Sequence, residues 1–203
     1  MILAVMTATT INASAQHEEG ETTLQPRAGV TFSNITDGDK TKVNFSYGVE
    51  VEHFLTDQFS VAGGVLFSNQ GCKYDEYVDD ETHQTLLGST TLNIYYGALP
   101  FTANYYVLPG LAIKAGVQPA MRVKANIEYE GQKVDFDRAV DALFEGEGNK
   151  MNKFDLSIPV GLSYEYSGVT LDARYNIGVT NLITEGDTHI HQKVFVVTLG
   201  YKF

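Results

Sequence analysis

Two histidines two residues apart, His189 and His191, form the spacing in this sequence that most invites a reading as chemistry. In an extended segment, residues i and i+2 share a face, so the pair could hold a metal, with Glu185 or Asp187 assisting. Histidines in a loop are more often solvated, and no metal or other cofactor is expected. A hydrolase or acyltransferase would need a histidine with a serine and an acid fixed near one rim of the fold. His53 falls near a strand end and His83 in a loop, neither beside a serine held in strand geometry, so the chain is not read as an enzyme. The acidic clusters Asp75-Glu76, Asp79-Asp80-Glu81 and 145–147 could take divalent cations, but solvated loop charge explains them more simply.

What remains is electrostatic. Arg27, Lys114, Arg122, Lys124, Arg174 and Lys202, with Glu50, Glu52, Glu128, Asp155, Glu165 and Asp172, fall at alternate positions of segments whose other positions are apolar. An unpaired buried charge is costly, so six of each sign on one face point to an internal ion-pair network. With that face neutral, the net charge of −11 lies in loops, turns and the amino-terminal tail. An acidic chain without a basic stripe excludes nucleic acid as a partner. The single cysteine, Cys72, excludes an internal disulfide, and no role is assigned to it.

Eight strands position these charges, each marked by alternation of period two. They cover 24–32, 43–52, 59–70, a fourth legible over 99–107, then 111–129, 155–165, 169–180 and 194–203. In the fourth the alternation slips near Gly97, where a bulge is expected. Within 130–153, Val134, Arg138, Ala139, Asp141, Leu143 and Phe144 fit a short amphipathic helix. Connections alternate long and short: the turns at Thr56-Asp57-Gln58, Pro109-Gly110 and Ser167-Gly168 separate longer loops. That layout implies an antiparallel up-and-down barrel with turns at one rim and loops at the other.

Whether the apolar face points inward, as in a soluble lipocalin-like barrel, or outward into lipid decides the function. Three features choose outward. Glycines occupy the polar face of seven strands, at Gly29, Gly48, Gly64, Gly116, Gly161, Gly178 and Gly200, as a crowded small barrel needs. The charges on that face balance. Aromatics on the apolar face gather near strand ends: Phe59, Tyr105, Tyr164, Tyr166, Tyr201 and Phe203 at the turn rim, and Phe32, Phe45, Phe67, Tyr129, Phe154 and Phe195 towards the loop rim. Two such belts are the mark of a membrane barrel.

At the amino terminus, an apolar run leads into Asn12-Ala13-Ser14-Ala15, which reads as a secretory signal over 1–15, followed by a periplasmic tail over 16–23 and the barrel over 24–203. No Lys or Arg precedes the run, and the competing reading is a short buried strand. The last strand sets Leu199, Tyr201 and Phe203 at two-residue steps, similar to the closing strand by which outer-membrane barrels are recognised and inserted. Leu99-Pro100-Phe101 through Tyr105-Tyr106, the run 111–118, and 169–181 with its Leu171-Asp172-Ala173-Arg174-Tyr175-Asn176 core resemble the outer-membrane β-barrel domain of porin-family proteins. The resemblance implies an all-β, eight-stranded transmembrane barrel in the outer membrane of a gram-negative bacterium, with short periplasmic turns and long extracellular loops. It implies a monomer whose partners are outer-membrane lipid, lipopolysaccharide and the barrel-assembly machinery. Such a chain would be structural or a narrow polar pore with a side-chain-filled lumen; the alternative is a mount for loops that bind an external partner.

Overall fold

The computed structural model describes residues 17–35, 42–70, 73–74, 77–78, 85–87, 90–129, 132–135, 153–180 and 192–203. All regular structure among them is β: β1 (Thr22–Ile35), β2 (Lys42–Thr56), β3 (Phe59–Gln70), β4 (Lys73–Tyr74), β5 (Tyr77–Val78), β6 (Thr85–Leu87), β7 (Thr90–Ala98), β8 (Phe101–Leu108), β9 (Leu111–Tyr129), β10 (Gln132–Asp135), β11 (Phe154–Tyr166), β12 (Val169–Gly178) and β13 (Gln192–Tyr201). Val134, expected in a helix, lies in β10, which folds back on β9 through Gln132↔Tyr129. The other residues of that expected helix lie outside the described residues.

Every neighbouring pair runs antiparallel, and β13 returns to β1 through pairs such as Val30↔Val197, so the sheet closes on itself. Eight staves make the wall, because β7 and β8 are one stave interrupted at Leu99-Pro100; both pair with β3 and with β9. Pro100 has no N–H for the ladder. Its carbonyl still accepts from Gly64 N at 3.1 Å, and Leu99 N donates to Pro119 O at 2.9 Å, so the wall is carried across the gap. β1 begins at Thr22, two residues before the start expected from alternation.

The bulge expected near Gly97 is instead on the facing strand. Tyr95 pairs with Lys124 and Tyr96 with Arg122, so β9 carries one extra residue there. Along β7 and β8 the alternation does not slip: Ile94, Tyr96, Ala98, Thr102, Asn104 and Tyr106 all face inward and are buried. It looked broken because the upper inward residues are apolar.

Glycine lets adjacent backbones approach as closely as this narrow wall demands. A Cβ on Gly29 would sit 1.9 Å from Val197 O, and one on Gly116 would sit 1.9 Å from Phe101 O. Only a residue without a side chain tolerates such a coiled strand.

Orientation follows. Leu171 and Leu199 are 52% and 59% exposed, while Asp172 and Arg174 are 1% and 3% exposed. The apolar face is the outer surface, which excludes the lipocalin-like alternative and is the arrangement of a barrel crossing a bilayer. Of the loop-side aromatics, Phe45, Phe67, Phe154 and Phe195 are exposed, and Phe32 is half-buried with its ring centroid 6.1 Å from that of Phe195. The Tyr129 side chain lies outside the described ones.

Candidate functional site

The inward positions of the staves converge on the lumen, which is filled in layers. At the turn rim, Phe54, Tyr106 and Ala112 are buried together. His17, which precedes β1, stacks on Phe54 with ring centroids 4.1 Å apart. Its Nε2 lies 3.0 Å from Glu165 Oε2, and its Nδ1 lies 3.0 Å from Glu21 Oε2. Burial pulls the imidazole pKa down, but the hydrogen bond and charge of Glu165, helped by Glu21, outweigh burial and the repulsion of Lys202, and the net shift is upward from 6.5. The segment is pinned by backbone too, since Gly20 N donates to Phe54 O at 2.8 Å and Phe54 N to Glu21 O at 2.9 Å. Residues 17–23, expected as a tail, are thus docked under the barrel or part of its first stave.

Above His17, Lys202 Nζ donates to Glu165 at 2.7 Å, to Glu52 at 2.8 Å and to the Tyr106 hydroxyl at 2.9 Å. Glu52 also accepts from Asn104 Nδ2 at 2.7 Å, from the Tyr106 hydroxyl at 2.9 Å and from the Ser60 hydroxyl. Next comes the central cluster. Glu50 accepts from Arg174 Nη2 at 2.6 Å, Arg27 Nη1 at 2.9 Å and Lys114 Nζ at 2.9 Å. Asp172 accepts from Arg174 Nε at 2.6 Å, and its Oδ2 lies 3.1 Å from both Arg27 Nη2 and Lys114 Nζ. These five side chains are between 1% and 4% exposed. Three cations face two carboxylates here, while in the layer below one lysine faces two, so the excess of one layer offsets the deficit of the other.

Towards the loop rim the filling turns apolar, with Leu66, Ile94, Tyr96, Ala98, Ala120 and Ala125 packed together. Arg122 and Asp155 are buried at this end, apart from the central cluster; Asp155 accepts from the Thr180 hydroxyl at 2.7 Å. Glu128 is half-buried near the top of β9, opposite Thr91. Lys124 and Glu128, both expected in the lumen, fall on the outward side of β9, Lys124 exposed and Glu128 half-buried, because the bulge reverses the parity of β9 beyond Val123.

The structure therefore brings eight of the twelve predicted charges into two adjoining layers. Ser60, Asn104 and Tyr106 were placed on the inward face by alternation, but nothing in the sequence aimed them at Glu52. His17 carried no sequence signal at all. Phe54, two steps beyond Glu52 on β2, could have been found by extending the alternation. His53 lies on the outer face, where the Thr22 hydroxyl is 2.8 Å from its Nδ1. Leu199, Tyr201 and Phe203 are exposed on the outer wall, with the last two rings 4.8 Å apart, and Phe203 exchanges backbone hydrogen bonds with Leu24 at 3.0 and 3.2 Å. Cys72, His83, Glu185, Asp187, His189, His191 and the acidic clusters lie outside the described residues.

In these two layers the charged side chains are buried against one another and cross-tie the staves that carry them.

The family of outer membrane protein β-barrel domains matches residues 14–184. No curated protein matches the chain. Among solved structures it is similar to Ail, the attachment invasion locus protein of Yersinia pestis, at 14% identity over 91% of this chain and 99% of that one, with a TM-score of 0.51. Ail in complex with the heparin analogue sucrose octasulfate gives 12% identity, coverage of 90% and 99%, and a TM-score of 0.52. Neisserial surface protein A gives 12% identity, coverage of 90% and 97%, and a TM-score of 0.53. At these identities the likeness shows a shared barrel fold.

Proposed function

Because the chain belongs to the outer membrane β-barrel family, we propose that it is a sealed monomeric barrel whose task lies in what it presents outside the membrane, with no passage of solute through it. The observation that carries this reading is the central cluster, in which Glu50 and Asp172, each 1% exposed, are closed over by Arg27, Lys114 and Arg174. Export through residues 1–15 and recognition of Leu199, Tyr201 and Phe203 by the barrel-assembly machinery belong to the same reading. So does the absence of a catalytic role.

The length of β9 supports presentation. A tilted membrane strand needs about 9 to 11 residues, and β9 has 19. At ~3.3 Å per residue and a tilt near 40°, β9 rises roughly 45–50 Å against an apolar band of about 25 Å. Its upper part is flanked by β7 and β10, and β7 by β4, so a small sheet stands above the loop rim as a support for the loops. Any bound partner would meet those loops; Ail, which shares the barrel fold, has been solved in complex with the heparin analogue sucrose octasulfate.

Planar-bilayer recording on the refolded chain tests the reading. No stepwise current is expected across the voltage range in which the empty bilayer is stable. Reproducible unitary steps would replace the sealed mount with a narrow pore.

A further inference from the structure

Four consecutive staves, β12, β13, β1 and β2, each carry one unpartnered donor into the lumen at the upper edge of the central cluster. Ser46 pairs with Gly29 and Gly29 with Thr198, so two inward hydroxyls flank a position that has no side chain. Both residues are 3% exposed, and neither hydroxyl has a hydrogen-bond partner among the described residues. Arg27, two residues below Gly29, engages Glu50 through Nη1, and Arg174 engages Asp172 and Glu50 through Nε and Nη2. Arg27 Nε and Arg174 Nη1 are left over, buried and likewise without a partner. Asn176, two residues above Arg174, has an unpartnered Oδ1 as well, and a half-turn of its amide would present N–H groups instead. Buried polar groups without partners are uncommon in native structures and call for a bound water or ion.

Charge decides between the two. Arg27, Lys114 and Arg174 meet Glu50 and Asp172, a surplus of one cation in that layer. The layer below, with Lys202 against Glu52 and Glu165, offsets this surplus only while His17 is neutral. A proton on His17, which Glu165 and Glu21 favour, balances the lower layer by itself and leaves the surplus to the central one. An unshared charge in a buried site is costly. Water would satisfy the hydroxyls and the guanidinium N–H groups without touching that surplus. An anion accepts from all four donors and removes it.

We propose that the lumen holds one monovalent anion of halide size over Gly29, between the Ser46 and Thr198 hydroxyls and against the free N–H groups of Arg27 and Arg174. With these four residues at most 4% exposed, the ion is enclosed as the barrel folds. The site needs these residues to face inward and does not depend on the barrel being silent in a bilayer, so it stands or falls separately from the conductance test.

The full chain is refolded in sodium bromide, whose anion stands in for chloride, and crystallised, with diffraction recorded at the bromine absorption edge. One anomalous peak within hydrogen-bonding reach of the Ser46 and Thr198 hydroxyls is expected. In vesicles, urea unfolding then compares bromide with gluconate, a much larger anion, at equal ionic strength. With bromide at about ten times its Kd, the folded-to-unfolded ratio should rise about tenfold. Thr198→Val keeps the side-chain shape, deletes the hydroxyl and should cut that rise to about twofold. Thr102→Val, which removes another buried and unpartnered hydroxyl from β8, should keep it in full. Density at Gly29 without anomalous signal would mean water and overturn the proposal. Bromide found on the outer surface alone, an adventitious ion only, would overturn it too, as would equal halide responses in wild type and Thr198→Val. Should Thr198→Val fail to refold, the anomalous map of the wild type decides by itself.

Discussion

Arg174 donates to Glu50 at 2.6 Å across the lumen, from a stave separated from that of Glu50 by β13 and β1 along the wall. Glu50 takes two further cations, so its carboxylate is the point at which β1, β2, β9 and β12 are tied together. Glu50→Gln would leave Arg27, Lys114 and Arg174 sharing Asp172 alone. Breaking a buried ion cluster from one side costs about 3–5 kcal/mol, and urea unfolding in lipid vesicles should show a loss of that size. A loss below about 1 kcal/mol would mean that water already reaches the cluster.

The outward face makes a depth-dependent prediction. Val160 lies part-way up β11 and Tyr166 at its turn end, both exposed. Val160→Arg should destabilise the folded barrel in vesicles by about 2–4 kcal/mol, and Tyr166→Arg by at most about 1 kcal/mol. Equal costs at the two positions would be incompatible with a bilayer around the wall.

Most of the wall was legible in advance because period-two alternation needs no tertiary knowledge: β1, β2, β3, β11, β12 and β13 read directly. So did the placing of Arg27, Glu50, Lys114, Asp172 and Arg174, since charges at strand positions opposite apolar ones must face each other inside a closed ring. The upper fourth stave did not, because Ile94, Tyr96 and Ala98 are apolar residues facing inward, and hydrophobicity alone cannot tell a packed lumen from lipid. Lys124 was misplaced for a related reason. One extra residue in β9 inverts every position after it, and nothing local to Val123 and Lys124 announces the insertion. The docking of His17 depends on Phe54, Glu165 and Lys202, which are distant in sequence.

Gly116 and Gly63 offer a paired test of backbone approach. Gly116→Ala would drive a methyl group into Phe101 O, whereas Gly63→Ala meets only the Phe101 ring, at 3.4 Å. The first should cost at least about 3 kcal/mol or prevent folding, at the upper end of overpacking effects, and the second under about 1 kcal/mol. Similar behaviour of the two variants in refolding yield and urea midpoint would contradict the close strand contact.

His17 predicts a pH dependence at the turn rim. Its pKa is raised on folding by Glu165 and Glu21, so its contribution is fully present below 6.5, the value of the free imidazole, and is lost as pH rises through the folded value. The stability difference between wild type and His17→Ala should therefore be larger at pH 5.5 than at pH 8.5. An imidazole titration followed by NMR should show an upward displacement. A difference that grew with pH would mean that the neutral ring is the one that docks.

Closure between β13 and β1 joins the two ends of a long polymer, and it has a kinetic consequence. Until β13 arrives, the growing sheet has two raw edges, each a row of unsatisfied amides and carbonyls, and its charged face lies open where it would meet hydrocarbon. Partial rings are therefore intolerable in a lipid environment. Assembly has to be timed so that the seam is sewn and the sheet enters the bilayer in one concerted event, and anything that delays the final ribbon leaves a sticky, aggregation-prone chain waiting outside.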